Sequence, residues 1–251
     1  MTNWVLRGLR TGIKTTRYPG TEDSTPGVTP GRPLVAALAE QDASAVVEAC
    51  PTGAIARDGA TVAIDLGKCV HCFRCAASQS QAGLPWKRDY EWADRANETV
   101  ARRTLEGAFG RSLHIRFVDA GACGACMSEA RQLNNPYYNM HRLGFFITPT
   151  PRNADALIVA GPVSDAMRLP LRKVYDAMPT PKRVVAVGAC ALTGGVFAES
   201  FVCAKGVADV LPVDVEVPGN PAPPLAILHG LLVATGRKAP ATLAGSNTVK
   251  A

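Results

Sequence analysis

From residue 113 onward, short β-branched apolar runs alternate with helical stretches, and this rhythm restricts the fold more than any other feature of the chain. Strands are expected at 113–119, 154–160, 183–187 and 213–217, and helices at 127–143, 164–177 and 224–235. Such alternation builds a parallel sheet covered by helices, whose strands present their carboxyl ends to a common crevice. Ahead of it lie a basic amphipathic segment and loop (1–33), a short cysteine-bearing stretch (34–80) and a charged linker (81–110). In the linker, 96–109 reads as helical. The sheet region takes 111–238, and 239–251 form a small, polar tail.

The 251 residues are 47% hydrophobic and 19% charged, which excludes an intrinsically disordered protein. A net charge of +6 suits an acidic partner, a membrane surface or nucleic acid, but the basic residues are dispersed and aromatics make up only 6%. Nucleic acid is therefore not an expected partner. No G-x4-G-K is present and no G-x-G-x-x-G follows a strand, so nucleotide chemistry is not expected either. The longest apolar candidate, 225–234, is about ten residues long and includes His229, too short to span a bilayer. The N-terminus has no secretory pattern, which predicts a cytoplasmic protein whose eight cysteines stay reduced. Residues 3–14 place Trp4, Val5, Leu9 and Ile13 near one side of a helix and Arg7, Arg10 and Lys14 around the other. Such a helix suits a membrane surface or a protein partner equally.

Cys69, Cys72 and Cys75 form C-x2-C-x2-C, and Cys50 is followed by Pro51. Three thiolates at three-residue intervals can wrap a loop round an iron–sulfur cubane, with a remote cysteine at the fourth corner. A structural zinc site prefers two separated C-x2-C knuckles. The stretch resembles half of a bacterial-type ferredoxin. CPTGAI at 50–55 looks like the end of a first run, and the second run stops at Cys75, with Gln79 and Ser80 where C-P would stand. The expectation is one 4Fe-4S cluster on Cys50, Cys69, Cys72 and Cys75, with His71 a spacer or hydrogen-bond donor.

Cys123 and Cys126 follow the first strand of the parallel sheet, and Cys190 stands at the carboxyl end of a later one, so the three gather at one sheet edge among Gly121, Gly124, Gly188, Gly194 and Gly195. A C-x2-C opening a helix also fits a dithiol oxidoreductase, which leaves Cys190 and its glycine-rich loop unexplained. Residues 110–236, with PRNAD at 151–155, AGPVS at 160–164, MPTPK at 178–182 and GACALTGGVF at 188–197, resemble the small iron–sulfur subunit (20 kDa type) shared by complex I and the energy-converting membrane-bound [NiFe] hydrogenases, formate hydrogenlyases included.

That resemblance implies an α/β fold, a flavodoxin-like domain preceded by a small α+β ferredoxin-like domain. It also implies that Cys123, Cys126 and Cys190 ligate a second cluster. The family's V-P-G-C-P-P reads VPGNPAPP here, with Asn220 in place of the fourth cysteine. Cys203 is the other candidate for that position, and the second cluster is expected as 4Fe-4S or 3Fe-4S. The resemblance places Glu129 as a proton carrier beside a large subunit. Arg152 is read as a group that tunes the cluster. His114, His141 and His229 read as packed histidines.

The N-terminal segment WVLRGLRTGIKTTRYPG resembles the opening of the ferredoxin-like subunit of the same complexes. The implied function is electron relay between a ferredoxin-type cluster and a large hydrogenase-like or complex I-like catalytic subunit. Other iron–sulfur carriers and membrane-arm subunits are the further implied partners. The implied location is peripheral, on the cytoplasmic face of the inner membrane, and catalysis belongs to the assembly. The alternative is a structural adaptor that has lost its second cluster.

Overall fold

The computed structural model describes residues 3–59, 61–77, 83–96, 109, 112–197 and 200–241. The expected linker helix at 96–109 lies outside the described residues except at its two ends, as do Gln79, Ser80 and the tail beyond 241.

The centre of the fold is a six-stranded sheet of β5 (Asp94–Arg95), β6 (Leu113–Asp119), β7 (Phe145–Ile147), β8 (Ala156–Ala160), β9 (Arg183–Val187) and β10 (Val215–Val217), in the spatial order β5-β10-β9-β8-β6-β7. β5 pairs antiparallel to β10; the other pairings are parallel. Counted in chain order, the parallel strands lie 2-1-3-4-5, the flavodoxin-like order, whose switch point falls between β6 and β8. The protein is thus an α/β fold. β8 is apolar at every position and buried throughout, as a central parallel strand covered on both faces must be.

Helices α3 (Ala125–Gln132) and α6 (Pro224–Ala234) pack on one face of the sheet, and α4 (Asp165–Asp176) on the other. The expected helix at 127–143 is corrected: α3 stops at Gln132, and a 3-10 turn, Met140–Leu143, follows separately. The break is local, because Asn135 Oδ1 accepts the Tyr137 amide at 3.0 Å and Pro136 has no amide to extend a helix. The first β-α crossover ends on β7, three residues long, which is below the length at which alternation is readable.

Before the sheet, α1 (Asn3–Thr11) buries no residue, and Trp4, Leu9 and Ile13 are each more than 70% exposed. Helix α2 (Glu40–Ala49) delivers Cys50 at its C-cap. The hairpin of β2 (Ile55–Asp58) and β3 (Thr61–Ile64) leads toward Cys69, and β1 (Arg32–Pro33) pairs with β4 (Trp86–Lys87). The elements after α1 share one hydrophobic core with the sheet, in which Tyr18, Val46, Ile64, Trp92, Ile115 and Leu228 all take part.

His229, at the middle of α6, is buried. Its Nδ1 accepts the Ala93 amide at 3.2 Å, which places the ring proton on Nε2, 3.2 Å from the Ala239 carbonyl oxygen. Burial pushes its pKa below the ordinary 6.5. The unfolded chain therefore binds a proton that the folded one refuses, so stability is full above pH 6.5 and falls as pH drops below it. His71 is lowered for the same reason and acts in the same direction. His229→Leu should cost about 2–3 kcal/mol at pH 7 and flatten part of this acid slope, as read by denaturant unfolding at pH 5, 6 and 7. An unchanged slope would contradict the neutral, doubly bonded imidazole.

Candidate metal centres

Burial raises two thiols in each cysteine group, Cys69 and Cys75 in the first and Cys126 and Cys190 in the second, while Cys72 and Cys123 are exposed. Cys50, Cys69, Cys72 and Cys75 line one small cavity with Thr52, Ala54 and Trp86. Burial raises the Cys69 thiol to about 11, the neighbouring thiols Cys75, Cys50 and Cys72 adding to it, and burial raises Cys75 as well. The Ala54 amide donates to Cys50 Sγ at 3.2 Å and the His71 amide faces Cys69, while the Trp86 indole lies near Cys75 with its Nε1 buried and closing no hydrogen bond. Left-handed backbone at His71 (φ 52°) and Phe73 (φ 61°) turns the loop between the cysteines, a strained conformation for side chains of that size. The His71 imidazole is buried between Trp86 and Trp92, with ring centroids 6.0 and 5.8 Å away, and neither ring nitrogen closes a hydrogen bond.

The second group forms at the switch point of the sheet. Cys123 and Cys126 follow β6, and Cys190 opens the short helix α5 (Ala189–Thr193) after β9. Burial raises Cys126 to about 11, with Cys190, Cys123 and Glu129 adding to it; burial and then Cys123 raise Cys190. The Ala222 amide donates to Cys126, and the Val196 amide to Cys190. Glycines make room for the sulfurs. A Cβ on Gly188 would stand 2.5 Å from Cys126 Sγ, and one on Gly195 2.9 Å from Cys190 Sγ. Cβ on Gly161 would meet the Ala122 nitrogen at 2.6 Å, so β8 ends directly under the cysteine loop.

The loop carrying Asn220 reaches this group. Ala189 donates to the Gly219 carbonyl at 2.8 Å, Gly188 to that of Val217 at 2.8 Å, and Ala222 to Cys126. Cys203 sits in another setting: its backbone bridges to Ser164 and Ser200, and its sulfur lies 3.2 Å from Ser200 Oγ. Glu129 neighbours Cys126, and burial raises its carboxyl. Arg152 is exposed on the 3-10 turn Pro151–Asn153 before β8, and among the described residues no interaction joins it to a cysteine. His114 stacks on Phe146 and lies 3.5 Å from the Asp155 carboxylate, while His141 packs on Phe146.

Two contacts tie the groups together, and neither was readable from the sequence. Trp92, fully buried against His71, donates its indole N–H to the Pro218 carbonyl at 2.9 Å, two residues before Asn220. Thr193, on α5, donates to the Gly67 carbonyl at 3.1 Å, two residues before Cys69. Partners 126 residues apart leave no local signal.

Among the described residues no three His, Cys, Asp or Glu side chains meet closely enough to hold a single metal ion. One ion needs all its sulfur ligands about 2.3 Å from one point, whereas a cluster takes each thiolate on a different iron.

The family profile described as NADH ubiquinone oxidoreductase, 20 kDa subunit, matches residues 123–234, from the first cysteine of the second group to the end of α6. An uncharacterized protein of Methanocaldococcus jannaschii is 42% identical over 122 residues, 49% of this chain and 82% of that one. The chain belongs to the 20 kDa-subunit family. Formate hydrogenlyase subunit 7 of Escherichia coli K12 is 36% identical over 142 residues, and the chain spans 56% of its length. Among solved structures, a subunit of the membrane-bound sulfane sulfur reductase, an archaeal respiratory membrane complex, gives a TM-score of 0.44 at 27% identity, covering 52% of this chain and 74% of that one. A chain of the NAD+-reducing [NiFe]-hydrogenase gives 0.43 at 17% identity, covering 52% and 95%. The profile stops short of the first cysteine group, which lies outside the part this chain shares with the 20 kDa subunits.

Gly188→Ala tests the packing of the second group in this family member. The residue has φ 92°, and the new methyl would collide with Cys126 Sγ. The variant should lose about 2–4 kcal/mol in thermal or denaturant unfolding, from left-handed strain and overpacking together. A loss under about 0.5 kcal/mol would show that the sulfur is not held there.

Proposed function

We propose that this protein is an electron-relay subunit of a hydrogenase-type or complex I-type oxidoreductase, with two iron–sulfur centres in one body. The first is held by Cys50, Cys69, Cys72 and Cys75 as a 4Fe-4S cluster. The second, 4Fe-4S or 3Fe-4S, is held by Cys123, Cys126 and Cys190, with its fourth position at Asn220 or Cys203. The observation that carries the reading is the gathering of four cysteines round one cavity, where burial raises the Cys69 and Cys75 thiols and the Ala54 amide donates to Cys50 Sγ. Buried thiols that repel one another ionise only against positive charge, and iron supplies it. The N–H groups stabilise sulfur that carries charge. Such a cluster takes up and releases one electron without rearranging the protein.

The 34–80 stretch acts as half of a ferredoxin fused to the small subunit. Trp92 and Thr193 hold the two loops in register, so that electrons pass between a carrier at the first centre and a large catalytic subunit at the second. Glu129, beside Cys126, is the residue placed to carry a proton toward that subunit. Helix α1, apolar on one side and basic on the other, suits attachment to the cytoplasmic face of the inner membrane beside the membrane-arm subunits; no helix among the described residues is long and apolar enough to cross it. The second reading, an adaptor without the second cluster, is favoured by one residue, Asn220, whose amide is a weak ligand for iron that prefers thiolate.

Potential-controlled electron paramagnetic resonance on the anaerobically purified chain separates the two. Cys72→Ser should remove only the first centre's signal, and Cys126→Ser only the second's. Asn220→Cys should complete a thiolate set, raising iron by about one per chain if the second centre holds three irons. Cys203→Ser should leave the second signal intact if Asn220 is the fourth position and remove it if Cys203 is. A single signal, lost in Cys72→Ser and unaffected by Cys126→Ser, supports the adaptor.

A further inference from the structure

The carboxyl-terminal half of β6 is an open sheet edge. β7 stops at Ile147, level with Ile115, and Pro149 and Pro151 deny the chain the amides it would need to continue alongside. In β6, His114 accepts from Asp155 and Ala120 donates to Ala160, so the even-numbered residues face β8. Phe117 and Asp119 turn their N–H and C=O groups the other way, where among the described residues they have no backbone partner.

Beside that edge lies a cavity of about 480 Å³. It straddles the sheet: Met127 and Met140 form its wall on the α3 side, and Met167 and Val174, from α4, its wall on the other. Arg116 and Arg131 line it, and Arg116 Nε is buried with no hydrogen-bond partner. Among the described residues neither guanidinium forms an ion pair. The one carboxylate on the lining, Asp119, is already engaged, its Oδ1 accepting the Gly121 and Ala122 amides at 3.0 and 2.7 Å.

We propose that this edge receives an extended, acidic segment of the large catalytic subunit as an added strand beside Phe117–Asp119. The inference rests on the reading of the chain as a subunit of a larger complex. An added strand satisfies the unpaired groups of Phe117 and Asp119, and its alternate side chains enter the apolar walls on either face of the sheet. Two unneutralised guanidiniums select a segment that carries carboxylates. Because Asp119 also holds the turn into Cys123, the docked strand ends next to the second cysteine group.

Hydrogen exchange read by mass spectrometry on the full chain, alone and in the complex it purifies with, tests the inference through peptides covering 113–120. Two additional amides, Phe117 and Asp119, should become protected in the complex. Arg116→Glu and Arg131→Glu should each weaken association with the partner about tenfold or more, with iron content and thermal transition retained, and Arg116→Lys should be milder. An assembled complex with unchanged exchange over 113–120 overturns the proposal. So does protection already present in the isolated chain, whether accompanied by a dimer mass or by an extractable amphipathic small molecule filling the cavity. A chain that carries iron but whose partner binds both charge-reversal variants normally contradicts the docking edge alone; a chain that neither carries iron nor enters a complex contradicts the functional reading beneath it.

Discussion

All eleven residues of α6 are buried, and a helix apolar on every side must be enclosed by the rest of its chain. That single requirement organises the protein. β9, β10 and β5 pack on the helix along the sheet, and α3 meets it on the same face. The residues around it form one core with Tyr18, Val46 and Ile64 from the N-terminal part. The loop that begins the helix, 218–223, is thereby fixed, and it is this loop that presents the Ala222 amide to Cys126 and the Pro218 carbonyl to Trp92.

Fixing that loop brings the two cysteine groups into one body. The first group is shaped by short-range chemistry: Cys50 at the C-cap of α2, the β2–β3 hairpin, and a loop whose left-handed turns bring Cys69, Cys72 and Cys75 round one cavity. The second is shaped by topology, since the carboxyl ends of β6 and β9 meet only because the parallel strands lie in the 2-1-3-4-5 order. Burial then does the same thing to both, raising the thiols and leaving charged sulfur dependent on N–H donors and on a positive partner. An electron carrier benefits from such rigidity, because a preorganised shell has little to rearrange when charge arrives.

Local patterns in the sequence made much of this legible. β6 and β9 match their expected bounds, α4 and α6 agree to within a residue at each end, and the C-x2-C-x2-C spacing marks the first cavity, because in each case the signal lies within a dozen residues. Helix α2 leaves little local signal because its apolar periodicity is weak over EQDASAVVEA. β7, at three residues, is too short to show alternation, and α3 ends before the helical pattern does because Asn135 and Pro136 sit inside that stretch. Long-range pairings left no trace: β5, drawn from the presumed linker, joins the sheet beside β10, and Trp92 and Thr193 act on partners 126 residues away. Asn220 is legible as a departure, but the approach of its loop to Cys126, through Ala222, depends on the enclosed helix that follows it.

The central claim is that separate cysteines of this chain surround inorganic iron and sulfide in two places. Mössbauer spectroscopy of the anaerobically purified, iron-57-enriched full chain, combined with sulfide analysis, addresses it most directly. The account predicts about seven or eight irons per chain, all in tetrahedral sulfur sites, with two distinguishable sets of parameters. Colourless protein without sulfide, its thiols paired in disulfides or holding zinc, would contradict it.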